Sequence, residues 1–183
     1  MEKRIINLTI DGRSYQIKEG KTILESCKEL GISIPSLCYL KDISSNASCG
    51  ICVVELKGAK SLVRSCVTSA SEGMEIKTHS PAVNQARVTN LQLLLANHPA
   101  DCLICDRNGN CELQDISSVL GVNETPYDKT KPLLPLDETS LSLVRDPNKC
   151  ILCGRCVAVC ADMQTVYAID FAGRGLKTKI ATY

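Results

Sequence analysis

The chain has 183 residues, 44% of them hydrophobic, with 21 Lys and Arg against 20 Asp and Glu and a formal net charge of +1. Near-neutral charge, aromatics at 3% and no basic block exclude a nucleic-acid footprint. No stretch reaches the apolar length of a membrane span, and the start, Met1 to Ile10, lacks the continuous apolar core of a signal peptide.

Ile6, Leu8 and Ile10 alternate with polar residues up to Asp11-Gly12, a hairpin signal, and Tyr15 and Ile17 continue the return strand. Thr22-Ile23-Leu24-Glu25 reads as a capping box opening a short helix that stops before Gly31. Ile23, Leu24, Cys27 and Leu30 share one face of it, which makes Cys27 a buried core thiol rather than a ligand. An apolar strand from Ile51 to Leu56 and two shorter ones at Ser61–Val67 and Met74–Thr78 follow. Two strands, a helix and further strands predict a ferredoxin-type β-grasp domain over residues 1–79.

Ser80-Pro81 starts a second helix whose apolar face is Val83, Leu91, Leu94 and Leu95, and which ends at His98-Pro99. A third, Glu112 to Leu120, has Leu113, Ile116 and Leu120 on one side and stops at Gly121, closing a small helical domain over 80–121. Residues 122–145, with Pro126, Pro132 and Pro135, read as a linker to a last segment over 146–183.

Twelve cysteines also fit a secreted disulfide framework, but Cys-x-x-Cys pairs bridge to one another poorly and bind metal well. A reducing, cytoplasmic setting is therefore expected. The cysteines, with one histidine, form three groups. The first, Cys38, Cys49, Cys52 and Cys66, is spaced C-x10-C-x2-C-x13-C. Loops of that length wrap a [2Fe–2S] cluster, with Gly50 letting the backbone approach. Zinc also takes four cysteines, usually as two Cys-x-x-Cys knuckles, and only one is present here. The alternative of a different kind is accordingly a zinc-stapled interaction module.

The second group, His98, Cys102, Cys105 and Cys111, is spaced H-x3-C-x2-C-x5-C and suits a [4Fe–4S] cluster with one histidine and three cysteine ligands. Imidazole in place of thiolate leaves such a cluster one unit less negative, which tunes its potential. His79 lacks such company and reads as a surface residue. The third group, Cys150, Cys153, Cys156 and Cys160, is spaced C-x2-C-x2-C-x3-C, and Gly154 eases the turn. The first three wrap a further [4Fe–4S] cluster. In two-cluster ferredoxins the fourth cysteine of such a run serves the other cluster. Cys160 therefore either closes the local cluster or belongs to a second one, with the missing ligand supplied by a longer polypeptide or a partner subunit. Lys149 and Arg155 flank this group as solvated charges, with a docking role as the alternative.

No nucleophile–base set, phosphate-cradling loop or Rossmann fingerprint is present; Gly173-x-Gly175 lacks the rest of one. No catalytic centre is expected within these residues.

With these motifs placed, the chain resembles the N-terminal iron–sulfur region of NAD(P)-linked, electron-bifurcating [FeFe]-hydrogenases. It is closely similar to the large iron–sulfur subunit of NADH:quinone oxidoreductase as well. The resemblance rests on the first cysteine group, on His98-Pro99-Ala100-Asp101-Cys102 through Cys105-Asp106-Arg107-Asn108-Gly109-Asn110-Cys111-Glu112-Leu113, and on the ferredoxin run. It implies an α+β chain holding one [2Fe–2S] cluster, one histidine-ligated [4Fe–4S] cluster and at least one further [4Fe–4S] cluster on a partial bacterial-ferredoxin-like segment. Its implied partners are a flavin-containing NAD(P)H-oxidising subunit, a small [2Fe–2S] subunit and ferredoxin. In those families a second ferredoxin run and a catalytic domain follow; this sequence has neither. Val144-Arg145-Asp146-Pro147-Asn148-Lys149-Cys150 and Gly173-Arg174-Gly175 are closer to the hydrogenase side. The expected function is relay of single electrons between a flavin and a terminal redox site. A bifurcating transhydrogenase, a formate dehydrogenase and NADH:quinone oxidoreductase are the alternatives.

Overall fold

A computed structural model describes residues 4–182; the outer limits read for the first and last segments, at residues 1–3 and 183, lie outside the described residues. The chain divides into two compact units. One holds the residues up to Tyr39 together with Ser45–Asn90, the other Leu40–Ser44 together with Leu91 onward.

The first unit is built on a mixed sheet. Strands β1 (Ile5–Ile10) and β2 (Arg13–Lys18) pair antiparallel through a two-residue turn in which Asp11 and Gly12 both take positive φ, 50° and 80°. That backbone twist matches the strands, and Gly adopts it without steric cost. With β3 (Val53–Leu56), β4 (Val63–Arg64) and β5 (Glu75–Lys77), the sheet order is β2–β1–β5–β3–β4, β1 running parallel to β5 and the other pairs antiparallel. The strand expected from Ile51 begins two residues later, because Gly50 (φ 66°) turns the backbone and leaves Ile51 and Cys52 in the turn. Helix α1 (Ile23–Glu29) opens on the expected capping box: Glu25 N donates to Thr22 Oγ1 at 3.2 Å and Thr22 N to Glu25 Oε2 at 2.8 Å. It packs Ile23, Leu24 and Cys27 against Ile6, Leu8, Ile10 and Ile76 of the sheet. Burying each such side chain contributes roughly 1.5–3 kcal/mol.

Helix α2 (Pro81–Ala96) starts where Val83 N donates to Ser80 Oγ at 3.2 Å. Val83 and Leu91 are buried as its apolar stripe requires, but the position between them, four residues from each, is Arg87, also buried. The second unit contains α3 (Glu112–Leu120), with Leu113 and Ile116 buried and Gly121 as its left-handed cap. Within the stretch read as a linker, Asn97 Oδ1 accepts from Thr130 N (3.1 Å) and Lys131 N (2.8 Å), and Asp137 pairs with Arg145. Further along come α4 (Arg155–Ala158), a π-helical turn at Val159–Met163, and an antiparallel hairpin of β6 (Ile169–Ala172) and β7 (Lys179–Thr182). These elements make an α+β fold.

Candidate metal centres

In the first unit, the turn between Gly50 and β3 brings Cys49 and Cys52 to Cys38 and Cys66. Cys38, Cys52 and Cys66 are buried and Cys49 half-buried. The four thiols share protons. Hydrogen bonds from Cys49 and Cys66 push the Cys38 thiol well down, and one from Cys66 lowers Cys52 to about 6. The same contacts push Cys49 and Cys66 up, held neutral beside their partners and by burial. Packed thiols that cannot all ionise together are the donor set a metal cluster resolves, since it needs each as thiolate.

The surrounding backbone is held from three sides. Ser65 Oγ donates to the Cys52 carbonyl at 2.7 Å and Ser65 N to the same oxygen at 3.1 Å. Asn90 Nδ2 donates to Gly50 O at 2.8 Å. Arg87 donates from Nε to Ile51 O (3.1 Å) and from Nη2 to Val53 O (2.9 Å). Sequence reasoning missed Arg87 and Asn90. The available signal was an arginine at the stripe position between Val83 and Leu91.

In the second unit, His98, Cys102, Cys105 and Cys111 line one cavity of about 730 Å³, walled also by Leu95 and Leu113. His98 reaches it just past α2, where its N–H donates to Leu95 O at 3.1 Å. A 3-10 turn at Cys102–Ile104 carries two of the cysteines toward it, and Cys111 caps α3. Gln114 of α3 ties down the loop between Cys105 and Cys111, accepting from Gly109 N (3.1 Å) and donating to Asn108 Oδ1 (3.0 Å). Burial lowers the His98 pKa, favouring neutral imidazole, and its buried Nδ1 has no hydrogen-bond partner among the described residues. A neutral ring with an unsatisfied nitrogen beside three cysteines fits a metal-ligating role.

The third group brings Cys150, Cys153 and Cys156 together. Burial raises the Cys156 thiol, and the charges of Cys150 and Cys153 act in the same direction. Leu152 (φ 55°) and Gly154 (φ 75°) bend the loop, and Leu152 N donates to Cys150 Sγ at 3.4 Å. Cys160 follows in the π-helical turn, its Sγ accepting from Ala168 N at 3.2 Å. Lys149 and Arg155 are not simply solvated: they lie 3.8 Å from Asp101 and 2.6 Å from Glu112. Cys27 is fully buried in the first unit's core, where burial raises its thiol to about 11, and His79 is exposed.

Among the described residues, no group of three or more His, Cys, Asp or Glu side chains has the geometry to hold a single metal ion. A cluster asks for a different arrangement, each ligand binding its own corner or edge.

The chain matches three protein families in succession. They are described as a 2Fe-2S iron-sulfur cluster binding domain over residues 3–81, an NADH-ubiquinone oxidoreductase-G iron-sulfur binding region over 87–126, and a 4Fe-4S binding domain over 143–169. It is 42% identical over 182 residues to the NADP-reducing hydrogenase subunit HndD of Solidesulfovibrio fructosivorans, covering 97% of this chain and 31% of that one. It is 36% identical over 185 residues to the NADH-ubiquinone oxidoreductase 75 kDa subunit of Reclinomonas americana, covering 98% of this chain and 26% of that one. The chain thus spans a third or less of these curated relatives. Its fold is similar to a crystal structure of NAD+-reducing [NiFe]-hydrogenase in the H2-reduced state, with a TM-score of 0.90 and 30% identity over 97% of this chain and 74% of that one. Among the described residues no helix is long and apolar enough to cross a membrane. The chain belongs to the family of iron–sulfur electron-transfer modules shared by NAD(P)-linked hydrogenases and the large iron–sulfur subunit of NADH:quinone oxidoreductase.

Proposed function

We infer that this module relays single electrons between a flavin-containing NAD(P)H-oxidising subunit and a terminal redox site, in a cytoplasmic, electron-bifurcating [FeFe]-hydrogenase complex. The observation that carries the reading is the 42% identity to an NADP-reducing hydrogenase subunit across 97% of the chain. Cys38, Cys49, Cys52 and Cys66 would hold a [2Fe–2S] cluster, and His98, Cys102, Cys105 and Cys111 a [4Fe–4S] cluster. Cys150, Cys153 and Cys156 would hold a further [4Fe–4S] cluster, with Cys160 in the same or a second one. Bound there, clusters would supply one-electron chemistry.

The chain's own residues position thiolates and one neutral imidazole, bury them from water, and hold the connecting loops by hydrogen bonds to backbone carbonyls. The domain limits 1–79, 80–121 and 146–183, with the linker 122–145, are part of this reading. So are a small [2Fe–2S] subunit and ferredoxin as further partners. A second reading, the iron–sulfur subunit of NADH:quinone oxidoreductase, is favoured by the match of residues 87–126 to the oxidoreductase-G region.

The test is freeze-quench EPR on the complete complex. Addition of NADH or NADPH reduces the clusters only when the flavin-containing subunit is present, and hydrogen reduces them in its absence. Clusters that stay oxidised under NAD(P)H in the full complex would overturn the relay. Reduction by NADH with quinol formed, and no response to hydrogen, would establish the second reading.

A further inference from the structure

Among the described residues, Arg87 is the largest side chain that is fully buried, 1% exposed. Its guanidinium donates to Ile51 O at 3.1 Å and Val53 O at 2.9 Å, the carbonyls on either side of Cys52. No carboxylate among the described residues forms an ion pair with it. Asp11, whose field reaches it, is engaged instead by Thr78, which donates from N (2.7 Å) and Oγ1 (2.5 Å). Burial pulls the Arg87 pKa down, and the nearby Cys52 and Asp11 oppose that shift. A guanidinium buried against carbonyl dipoles alone is costly, and such a residue survives where an anion compensates it. Two anionic groups act on it, the Cys52 thiolate first and the Asp11 carboxylate second, and of these only Cys52 sits between the two carbonyls that Arg87 holds.

We propose that Arg87 is the counter-cation of the first site: it holds the Cys49–Cys52 turn by its two carbonyl contacts, and its charge raises the reduction potential of the cluster on Cys38, Cys49, Cys52 and Cys66. This rests on the ligand assignment above. Reduction takes one electron from the donor, turns one ferric iron ferrous and adds one negative charge, with no proton moved. A fixed cation in a low-dielectric surrounding favours that more negative state. Arg87 is a positioning residue that acts through the turn and through its field. A carbonyl clamp alone would leave the potential where it is.

The experiment is an EPR-monitored redox titration of the [2Fe–2S] signal in the full, anaerobically loaded chain, with dithionite as reductant. Arg87→Gln lowers the midpoint. Arg87→Lys keeps the wild-type midpoint but gives up iron to a chelator faster, having lost the two-carbonyl fork. A loaded Arg87→Gln chain with an unmoved midpoint overturns the role, as does an Arg87→Lys midpoint displaced as far as that of Arg87→Gln. Should Arg87→Gln fail to load, Arg87→Lys decides: loading with the wild-type midpoint supports the role, and failure to load or a displaced midpoint overturns it. A wild-type chain without a [2Fe–2S] signal, or a signal that survives Cys52→Ala, overturns the ligand assignment and the Arg87 role with it. An unmoved midpoint in a normally loaded chain overturns the Arg87 role alone.

Discussion

Arg155 Nη1 donates to Glu112 Oε2 at 2.6 Å, joining the residue before Cys156 to the residue after Cys111. Lys149 and Asp101, 3.8 Å apart, make a parallel link between the residue before Cys150 and the residue before Cys102. Both ion pairs connect the immediate flanks of the second and third ligand groups within one unit. Such pairs fix the spacing of the two groups more than they stabilise the fold, because each is partly exposed and screened.

Glu112→Gln and Arg155→Gln should therefore each cost less than about 1 kcal/mol, with a coupling of roughly 0.2–1 kcal/mol in a double-mutant cycle that shrinks as salt rises. Thermal unfolding followed at the cluster's visible absorbance measures it. Strict additivity at low salt would show that the pair does no more than sit at the surface.

Gly50 combines a φ of 66° with a Cβ position 2.7 Å from Asn90 Nδ2. Gly50→Ala should destabilise the first site by about 1–2 kcal/mol from the left-handed backbone alone, with the clash adding to it. In an Asn90→Ala background the clash disappears and only the backbone cost remains. Iron retention under chelator challenge, compared across the two backgrounds, reads the difference. An equal cost in both would contradict the clamp.

Cys27 lies in the core of the first unit, its thiol raised from 9.0 to about 11 by burial and then by the charge of Asp11. The folded state keeps a proton that the unfolded chain releases. The stabilisation is therefore complete below pH 9 and is lost as pH rises through about 11, amounting to about 3 kcal/mol across that window. Cys27→Ala should lose about 1 kcal/mol near neutrality, flatten this alkaline limb, and leave the iron content unchanged. Denaturant melts from pH 7 to 11 and iron analysis check both; a fall in iron would make Cys27 a ligand.

His98→Cys should load normally and lower the midpoint of its cluster, because thiolate adds the negative charge that imidazole withholds. His98→Ala should cost about four irons per chain and leave the [2Fe–2S] signal intact. An unchanged iron content in His98→Ala would remove His98 from the ligand set.

The parts legible in the sequence are those written locally. Asp11-Gly12, the Thr22–Glu25 capping box, Ser80-Pro81 and Gly121 each declare a boundary within a few residues, and the structure places elements there. The donor groups declare themselves by spacing. Arg87 and Asn90 did not, since a charged residue on a helix stripe reads as a break in the apolar face until its carbonyl partners, 34 and 36 residues away, are seen. The Arg155–Glu112 pair spans 43 residues and leaves no local trace. The β6–β7 hairpin was missed because its strands are four residues each and its turn rests on Gly173, where a Cβ would stand 2.5 Å from Lys177 O.

The proposed relay needs three loaded iron–sulfur sites in one chain. Iron and acid-labile sulfide per chain, measured on anaerobically prepared protein with EPR of the reduced sample, test it most directly. About ten irons are expected, with one [2Fe–2S] and two [4Fe–4S] signals. Zinc in place of iron, without labile sulfide, would contradict it.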